Sequence, residues 1–299
     1  MIDVRRQIPP AACYDARVRK RRVQQRSDLI YDVGMNNGDD TAFYLYQGFR
    51  VVAIEADPVR CESARKRFAD AIQHGRLTIL NVGIAEREGT ATFWVCESVP
   101  EWSSFEHRVA SRRGSPCHSI EVHTMRFRQV LEQFSIPEYL KIDIEGADPL
   151  CVRDLPREPL PPYISVEDWI EAGERGSRML ELLYETGYRR FKLLEQSEFE
   201  GVLTTAEAFF RRCVRSAAYR LRPLGLSQIP RQLAARYDSR VRNGYSFEAG
   251  SSGPWGEGVP GRWLSIQRAR KLHSAKVERL IASGKPRPHT WYDWHAKTE

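Results

Sequence analysis

The sequence lacks the features that mark membrane and exported proteins. It has no run of about 18 apolar residues that would cross a bilayer. Residues 1–26 have no apolar core between their charges, so we expect neither a membrane anchor nor a secretory signal. The 6 cysteines are far apart and never form a CxxC pair, which argues against a zinc cluster and a disulfide framework. These absences favour a protein of the reducing cytoplasm.

Acidic residues are scarce at both ends of the chain. The net charge is +7 overall, but residues 1–26 carry +6, residues 201–299 carry +11 and residues 27–200 carry −10. Basic ends would suit an anionic partner such as a phosphorylated metabolite, a carrier or nucleic acid. Solvated helix faces that pair with the acidic middle explain the same pattern. Both interpretations stay open.

From residue 28 to about 195, short apolar runs alternate with segments of helical periodicity. The runs are rich in β-branched or aromatic residues and end at Gly, Asp or Pro, which predicts six strands: DLIYDV, RVVAIEAD, RLTILNV, YLKIDIEG, YISVED and YRRFKLLEQ. Two helical segments close on Gly75 and Gly187. The alternation predicts an α/β protein with a parallel, doubly wound sheet and helices on both faces. Ligands of such sheets bind at the carboxyl ends of the strands.

Two stretches interrupt this alternation. About forty residues between GTATFWV and YLKIDIEG have few periodic apolar positions and predict a long loop over the strand ends. The second stretch contains the glycine-rich FEAGSSGPWGEGVPG and predicts a cap inserted over the substrate. We therefore divide the chain into a basic N-terminal segment (1–27), a core (28–200), a cap (201–288) and a last strand (289–299) that completes the sheet.

The turn after the first strand, D-V-G-M-N-N-G, differs from the common nucleotide-binding turns. Gly34 and Gly38 permit a tight turn, and Asn36 replaces a central glycine because asparagine tolerates a positive φ. The third glycine of a dinucleotide turn and the lysine of a phosphate loop are both missing. Asp39 and Asp40, which follow, would repel a phosphate. The turn therefore predicts a ligand with a cationic or neutral end, such as the amino acid portion of S-adenosylmethionine.

An acidic residue ends the second predicted strand. Glu55 follows Asp32 by 23 residues, close to the offset of roughly 20 at which a carboxylate of this fold binds a ribose diol. A carboxylate has two oxygens and can accept both ribose hydroxyls. Together with the acidic turn, Glu55 predicts an adenosine-containing ligand other than a dinucleotide.

The chain resembles the FkbM-like family of class I S-adenosylmethionine-dependent methyltransferases over about residues 28–195. The segments that carry the resemblance are YDVGMNNGDDTAFYL, VVAIEADP, LNVGIAEREGTATF and YLKIDIEGAD, in this order, with WYDWHA near the C-terminus. The resemblance implies a Rossmann-like sheet of seven strands with the last one antiparallel. It also implies S-adenosyl-L-methionine as cofactor and methyl transfer, usually to an oxygen of a sugar or specialised metabolite. HTMRFRQVL departs from the family's T-L-D-D form after Thr124.

The resemblance also indicates which residues hold the cofactor. They are Asp32, Gly34, Asn36 and Gly38 for the methionine end, Glu55 for the ribose, Ala85 and Glu86 for the adenine edge, and Asp143 for the cofactor's amino end or the acceptor. The residues alone also place Asp143 at the crevice, because it closes a central strand.

A hydroxyl acceptor needs a base, whose contribution is about 10²- to 10⁴-fold. The candidates for this base are Asp143, Glu145, Glu167, Asp168 and His295. Tentative substrate contacts are Ser103, Ser104, Glu167, Trp169 and Trp255. The spacing of His107, His118 and His123 matches no standard metal site, so we assign no metal.

The partner that we favour is a small-molecule acceptor, a hydroxyl-bearing sugar or specialised metabolite. Methylation of a peptide or carrier-bound substrate is an alternative that the basic ends would suit. Nucleic acid is a weaker alternative, since the sequence has no N-P-P-Y-type motif. A cofactor-binding scaffold without catalysis is the non-enzymatic alternative. The oligomeric state is not predicted.

Overall fold

The structure, a computed structural model, describes most of the chain. The described residues are 24–168, 177–196, 200–201, 209–210, 212–214, 216–217, 220, 241–242, 245–247, 251–282 and 292–299. Within these ranges no helix has both the length and the apolar character that a membrane span requires.

A sheet of eight strands forms the centre of the fold. Its strands are β1 (Gln25–Val33), β2 (Arg50–Glu55), β3 (Leu77–Asn81), β7 (Ile136–Ile142), β8 (Tyr163–Asp168), β9 (Arg190–Glu195), β10 (Glu200–Gly201) and β13 (Tyr292–Lys297). They are ordered β10-β9-β13-β8-β7-β1-β2-β3. β13 is antiparallel to both of its neighbours, whereas β3, β2, β1, β7 and β8 run parallel. The predicted doubly wound sheet with an antiparallel last strand is confirmed, and the two-residue β10 extends its edge.

Helices cover both faces of the sheet, as predicted. The helices are α1 (Asp39–Tyr46), α2 (Pro58–Arg67), α3 (Ala69–Gln73), α4 (His107–Ala110), α5 (Phe127–Phe134), α6 (Asp148–Arg153), α7 (Arg178–Thr186) and α8 (Ile266–Ala282). The first face packs against α5, α6, α7 and α8, and the second face packs against α1, α2 and α3. In α5, Phe127, Val130 and Leu131 lie on one helix face and are almost fully buried. Burial of each such side chain contributes about 1.5–3 kcal/mol.

The predicted long loop between β5 and β7 is wrong for much of its length. β4 (Gly83–Ile84), β5 (Gly89–Cys96) and β6 (Cys117–Met125) form a second, three-stranded sheet in the order β4-β6-β5, and α5 follows β6 directly. Val122 and Thr124 of β6 are buried, while their neighbours Glu121 and His123 are exposed. This half-buried alternation was the strand signal, and it is weak because only two apolar residues of β6 alternate cleanly. A loop with two short 3₁₀ turns remains between β5 and β6.

Several described parts of the predicted cap pack on the sheet itself. Helix α8 packs on the first face, where Ile266 and Ala269 join the core. The segment 251–265 and the short hairpin of β11 (Val241–Arg242) and β12 (Tyr245–Ser246) precede that helix. Phe247 and Trp255 pack on the second face beside α1. Much of the predicted cap lies outside the described residues, so the cap stays a prediction.

Candidate active site

The carboxyl ends of five neighbouring strands carry one row of residues. The registers of β2, β1, β7, β8 and β13 place Glu55, Gly34, Asp143, Glu167 and Asp293 side by side in this order. Neighbouring strands are about 4.8 Å apart, so the row spans roughly 20 Å. Four of its five members are carboxylates, and the glycine interrupts them at the first turn. We call this set the edge row.

The turn that leaves β1 has three residues with positive φ, in agreement with its sequence pattern. Gly34, Asn36 and Gly38 have φ of 83°, 50° and 84°. Gly34 also lies against the backbone of Asp143, and a Cβ atom added at position 34 would be 1.8 Å from the carbonyl oxygen of Asp143. The first glycine is therefore required for the close contact of β1 and β7 as well as for its backbone conformation.

Glu55 is held in one orientation by backbone amides. Its Oε2 accepts a hydrogen bond from the Asn36 amide at 2.8 Å, and its Oε1 accepts one from the Asp57 amide at 2.9 Å. Burial raises the pKa of Glu55, and these amides act against that shift. Each carboxylate oxygen keeps a second acceptor position, so the oriented group can still accept two hydroxyl groups.

Lys141 is a buried cation among the carboxylates of the turn. Its Nζ donates to the Gly34 carbonyl at 2.7 Å and lies 3.2 Å from Asp32, and 3.8 Å from both Asp40 and Asp143. The three carboxylates raise the pKa of Lys141 above its usual value although burial acts in the opposite direction. The lysine stays charged and fixes the turn relative to β7.

Asp32 and Gly38 do not line the cleft. Asp32 is fully buried and accepts a hydrogen bond from Thr41 at 2.6 Å. A Cβ atom at Gly38 would contact the Phe68 ring at 2.6 Å. Asp32 and Gly38 therefore support the turn from its buried side, whereas Gly34 and Asn36 line the cleft.

The two acidic residues after the turn face the cleft with different partners. Asp39 pairs with Arg67 at 2.8 Å. Both oxygens of Asp40 accept the Ser252 amide at 2.9 Å. Burial raises the pKa of Asp40 to about 7, and the charge of Lys141 acts against this shift. The Ser252 contact ties a segment within the predicted cap to the turn.

The cleft extends from this turn over the ends of β2 and β3. Beyond the turn residues, it is lined by Glu55, Asp57 and Arg60 on one side and by Val82, Gly83 and Ile84 on the other. The Phe105 ring packs directly on Gly83, where a Cβ atom would lie 2.3 Å from it. Asp143 and Glu145 line the far end.

Glu145 already has a partner. Arg112 donates to both of its oxygens at 2.7 and 2.9 Å. Burial raises the pKa of Glu145 to about 7, and Arg112 acts against that shift. Arg112 in turn stacks on Trp102, with its guanidinium carbon 4.4 Å from the ring centroid. As a base, Glu145 would have to give up this bidentate pair.

The two serines after β5 have mainly structural contacts. Ser103 lines the cleft, and its Oγ accepts the Cys96 amide at 3.1 Å. Ser104 is buried, and its Oγ donates to the Glu145 carbonyl at 2.8 Å. Ser104 thus supports the segment after β7 rather than facing the cleft.

Asp168 and His295, two predicted base candidates, lie away from the cleft. Asp168 points to the first face, where it accepts a hydrogen bond from Trp294 at 2.7 Å and lies 3.3 Å from His273. His295 is in the middle of β13 between Ser165 and Lys192. Burial lowers its pKa to about 3, so the ring is neutral. Successive strand residues point to opposite faces, which separates Asp168 from its neighbour in the edge row.

Three more predicted contacts lie elsewhere. Ala85 and Glu86 line a separate depression beside Ser104. Trp255 stacks on Tyr139, the middle residue of β7, with ring centroids 4.8 Å apart, and its indole donates to the Gln47 side chain after α1, away from the carboxyl ends. Trp169 lies outside the described residues.

Asp293 and Gln196 are among the residues that the sequence interpretation missed. Asp293 is 4% exposed, and its carboxylate accepts a hydrogen bond from the Gln196 side chain. The motif WYDWHA drew attention to His295, but only the strand register brings Asp293 beside Glu167. The alternation of side chains along a strand could have indicated it, because Asp293 and His295 point to the same face of the sheet. Of the two, Asp293 is nearer to the carboxyl ends of the parallel strands.

The arrangement suits a cationic adenosyl ligand. A carboxylate whose oxygens can accept two hydroxyl groups fits a ribose, and the acidic groups at the amino end of α1 fit a positively charged end. The same acidic groups would repel a pyrophosphate.

A family model agrees with this assignment. The family model of the Methyltransferase FkbM domain matches residues 32–189, more than half of the chain. Among curated proteins no sequence match was found.

Solved structures with a similar fold include several methyltransferases. Methyltransferase FkbM from Methylobacillus flagellatus KT is 18% identical with a TM-score of 0.33, over 52% of this chain and 35% of that chain. The C-terminal domain of precorrin-6Y C5,15-methyltransferase from Rhodobacter capsulatus is 17% identical with a TM-score of 0.33, over 57% and 66%. A putative sarcosine dimethylglycine methyltransferase from Galdieria sulphuraria is 11% identical with a TM-score of 0.38, over 93% and 80%. The chain therefore spans about a third of the first of these proteins and two thirds of the second, and their substrates are not carried over.

Proposed function

This chain belongs to the FkbM methyltransferase family and uses S-adenosylmethionine as its methyl donor; on this premise we propose that it methylates a hydroxyl group of a sugar, glycan or specialised metabolite. The observation that carries the proposal is the position of Glu55 and Asp143 on either side of Gly34 in the edge row. A diol-binding carboxylate and a second carboxylate then lie about 10 Å apart along one cleft.

The described residues divide into groups that would hold different parts of the donor. Glu55 would accept the ribose hydroxyls. Val82, Gly83 and Ile84 would contact the adenine, in place of the predicted Ala85 and Glu86, because these three line the cleft beside Glu55. Asn36, Asp39 and Asp40 would hold the amino acid end, and Asp143 lies where that end meets the acceptor side.

The chemistry asked of the protein is chiefly alignment. When bound, the donor supplies a methyl group on a positively charged sulfur. The protein must hold an acceptor oxygen in line with that group, and such positioning contributes roughly 7–11 kcal/mol to lowering a barrier. Lys141 and the backbone amides at Glu55 fix the donor side before any ligand arrives. A neighbouring carboxylate that takes the hydroxyl proton adds about 10²- to 10⁴-fold.

Calorimetric titration with S-adenosylmethionine tests the cofactor site. Glu55→Ala should weaken donor binding at least about tenfold, equivalent to about 1.4 kcal/mol. Glu62→Ala, at an exposed carboxylate of α2 that pairs with Lys66 at 3.5 Å, is the matched control and should bind as the unmodified protein does. NAD and ATP should not bind. Equal donor affinity in both variants would remove Glu55 from the site.

Turnover with a labelled methyl donor separates an enzyme from a cofactor-binding scaffold. Transfer to hydroxyl-bearing small molecules is the expected result. Label that appears only in peptides or carrier-bound substrates, or only in nucleic acid with a steep dependence on salt, would favour those acceptors instead.

A further inference from the structure

The acceptor side of the edge row contains a pair of adjacent carboxylates. Glu167 of β8 and Asp293 of β13 are direct cross-strand partners. Both point to the same face of the sheet as Asp143 and Lys141, because paired residues in neighbouring strands share a face. The pair therefore continues the edge row beyond Asp143, one and two strand spacings of about 4.8 Å further from Glu55.

A buried amide belongs to the same cluster. Gln196, 5% exposed, donates from Nε2 to the Asp293 carboxylate. Its Oε1 has no hydrogen-bond partner among the described residues. The two atoms belong to one amide group, so the unpartnered oxygen lies beside the same carboxylate. Buried polar atoms nearly always have a partner, so this oxygen calls for a group that the described residues do not supply, such as a ligand or a water molecule.

The charges around the pair exclude some ligands. Burial and the neighbouring carboxylates, Asp143 among them, raise the pKa of both Glu167 and Asp293 well above their usual values, while Lys141 opposes the shift at Asp293. A carboxyl group with a raised pKa takes up a proton more readily, and in that form it can donate to a hydroxyl as well as accept from one. An anionic ligand would meet four acidic neighbours: Asp143, Glu145, Glu167 and Asp293.

We infer that Glu167, Asp293 and Gln196 form the acceptor site and that it takes a neutral, hydroxyl-rich ring, such as a sugar without phosphate or carboxylate groups. The inference deepens the proposed function and rests on it. Asp293 and Gln196 together bind hydroxyl groups of the ring, since they offer an acceptor, a donor and the unpartnered Oε1. Glu167 lies between them and Asp143 in the edge row and is the less buried of the two carboxylates.

The reaction at this site balances without a further reactant. The acceptor oxygen forms a bond to the methyl carbon while the bond from that carbon to sulfur breaks, and its electron pair stays on sulfur. The hydroxyl proton passes to the Glu167 carboxylate. The products are a methyl ether and S-adenosylhomocysteine, with no change of oxidation state.

The test compares neutral and anionic probes on the whole chain. Methyl glycosides of neutral hexoses and deoxyhexoses, with matched hexose 6-phosphates and hexuronates, are titrated by calorimetry into the protein bound to S-adenosylhomocysteine. The same probes are then offered with a labelled methyl donor. We expect neutral glycosides to bind and to be methylated, and their anionic counterparts to bind at least about tenfold more weakly.

Three variants locate the site. Asp293→Asn and Gln196→Met should weaken glycoside binding at least about tenfold and change donor affinity less than about threefold. Glu167→Gln should lower kcat by about 10²- to 10⁴-fold with a much smaller effect on glycoside binding. Glu62→Gln is the control and should match the unmodified protein in both measurements.

Several results would overturn this inference. They are preferred methylation of the anionic probes, neutral probes that neither bind nor accept methyl groups in a protein that binds its donor, and unchanged glycoside affinity in Asp293→Asn and Gln196→Met. If the unmodified protein does not bind S-adenosylmethionine, the proposed function itself is refuted. The two failures are therefore told apart by one titration.

Discussion

The Cα atom of Gly34 lies so close to the Asp143 carbonyl that a Cβ atom at position 34 would be 1.8 Å from that oxygen. No side chain can be placed there without moving β1 away from β7. Gly34→Ala should therefore prevent folding or lower the free energy of unfolding by more than the roughly 1–2 kcal/mol of a left-handed conformation alone. Chemical denaturation measures the change.

Gly48→Ala is the matched control for that substitution. Gly48 has a φ of 91°, similar to that of Gly34, but an added Cβ atom would meet nothing within 4 Å. The free energy of unfolding of this variant should fall only by the cost of a left-handed backbone at an alanine. Equal destabilisation by the two substitutions would mean that the contact with Asp143 is unimportant.

The Phe105 ring on Gly83 predicts a defect in binding rather than in folding. Gly83→Ala would place a Cβ atom 2.3 Å from that ring, which must then move towards the cleft that both residues line. We expect donor affinity to fall about tenfold with less than about 1 kcal/mol lost in stability, because a side chain yields more easily than backbone. Adding Phe105→Leu should restore much of the affinity, as measured by calorimetry. No recovery in the double variant would contradict this cause.

Removal of Arg112 should destabilise the protein more at high pH than at low pH. Burial raises the pKa of Glu145 to about 7 even with Arg112 present, and without it the pKa rises further. When the pKa of a carboxyl group is higher in the folded state than in the unfolded state, the protein loses stability as the pH rises from about 4 through the folded pKa. Arg112→Met should cost roughly 1–3 kcal/mol at pH 8.5, less than a fully buried pair since the Arg112 side chain is 23% exposed, and less at pH 5.

Denaturation at both pH values measures the effect of Arg112→Met. The double variant Arg112→Met/Glu145→Gln should show a much smaller difference between them. A loss that is equal at pH 5 and pH 8.5 would show that Arg112 acts through its packing on Trp102 alone.

His295 predicts a dependence of stability on pH in the acidic range. Burial lowers its pKa to about 3 in the folded protein, whereas the unfolded value is about 6.5. Below about pH 6.5, His295 therefore binds a proton in the unfolded state but stays neutral in the folded state until the pH approaches 3. Stability is lost as the pH falls, by about 1.4 kcal/mol per pH unit down to the folded pKa.

His295→Leu should remove this loss. Asp40, Glu145 and Asp148 have raised pKa values and favour the folded state at low pH, but they are present in both proteins. The difference in unfolding free energy between the two proteins, measured from pH 7.5 to pH 5, isolates the histidine. Parallel stability curves would show that His295 is protonated in the folded state.

The sheet and the turn could be predicted because their signals are local. Alternating strands and helices are enough to define the doubly wound order, and the glycine spacing with Asn36 defines the left-handed turn. The offset of Glu55 from Asp32 predicted a cleft residue correctly placed beside the turn. Its role with the ribose stays a prediction.

The acceptor side was harder to predict because it depends on strand register. Sequence proximity suggested His295 and Asp168, but one is in the middle of a strand and the other points to the opposite face. Asp293 and Gln196 are almost a hundred residues apart, and only the antiparallel insertion of β13 beside β9 brings them together. Trp255 was predicted to contact the substrate because it lies in a glycine-rich segment. Such a segment does not determine which end of the sheet the tryptophan reaches.

Under the proposed function, the edge row also bears on how the protein would release its spent donor. Methyl transfer removes the positive charge of the sulfonium, so donor and product differ in charge while their shapes are nearly the same. Carboxylates concentrated along one edge attract the charged molecule more strongly than the neutral one. We therefore expect the protein to bind S-adenosylhomocysteine more weakly than S-adenosylmethionine, which favours exchange of the product for a new donor molecule.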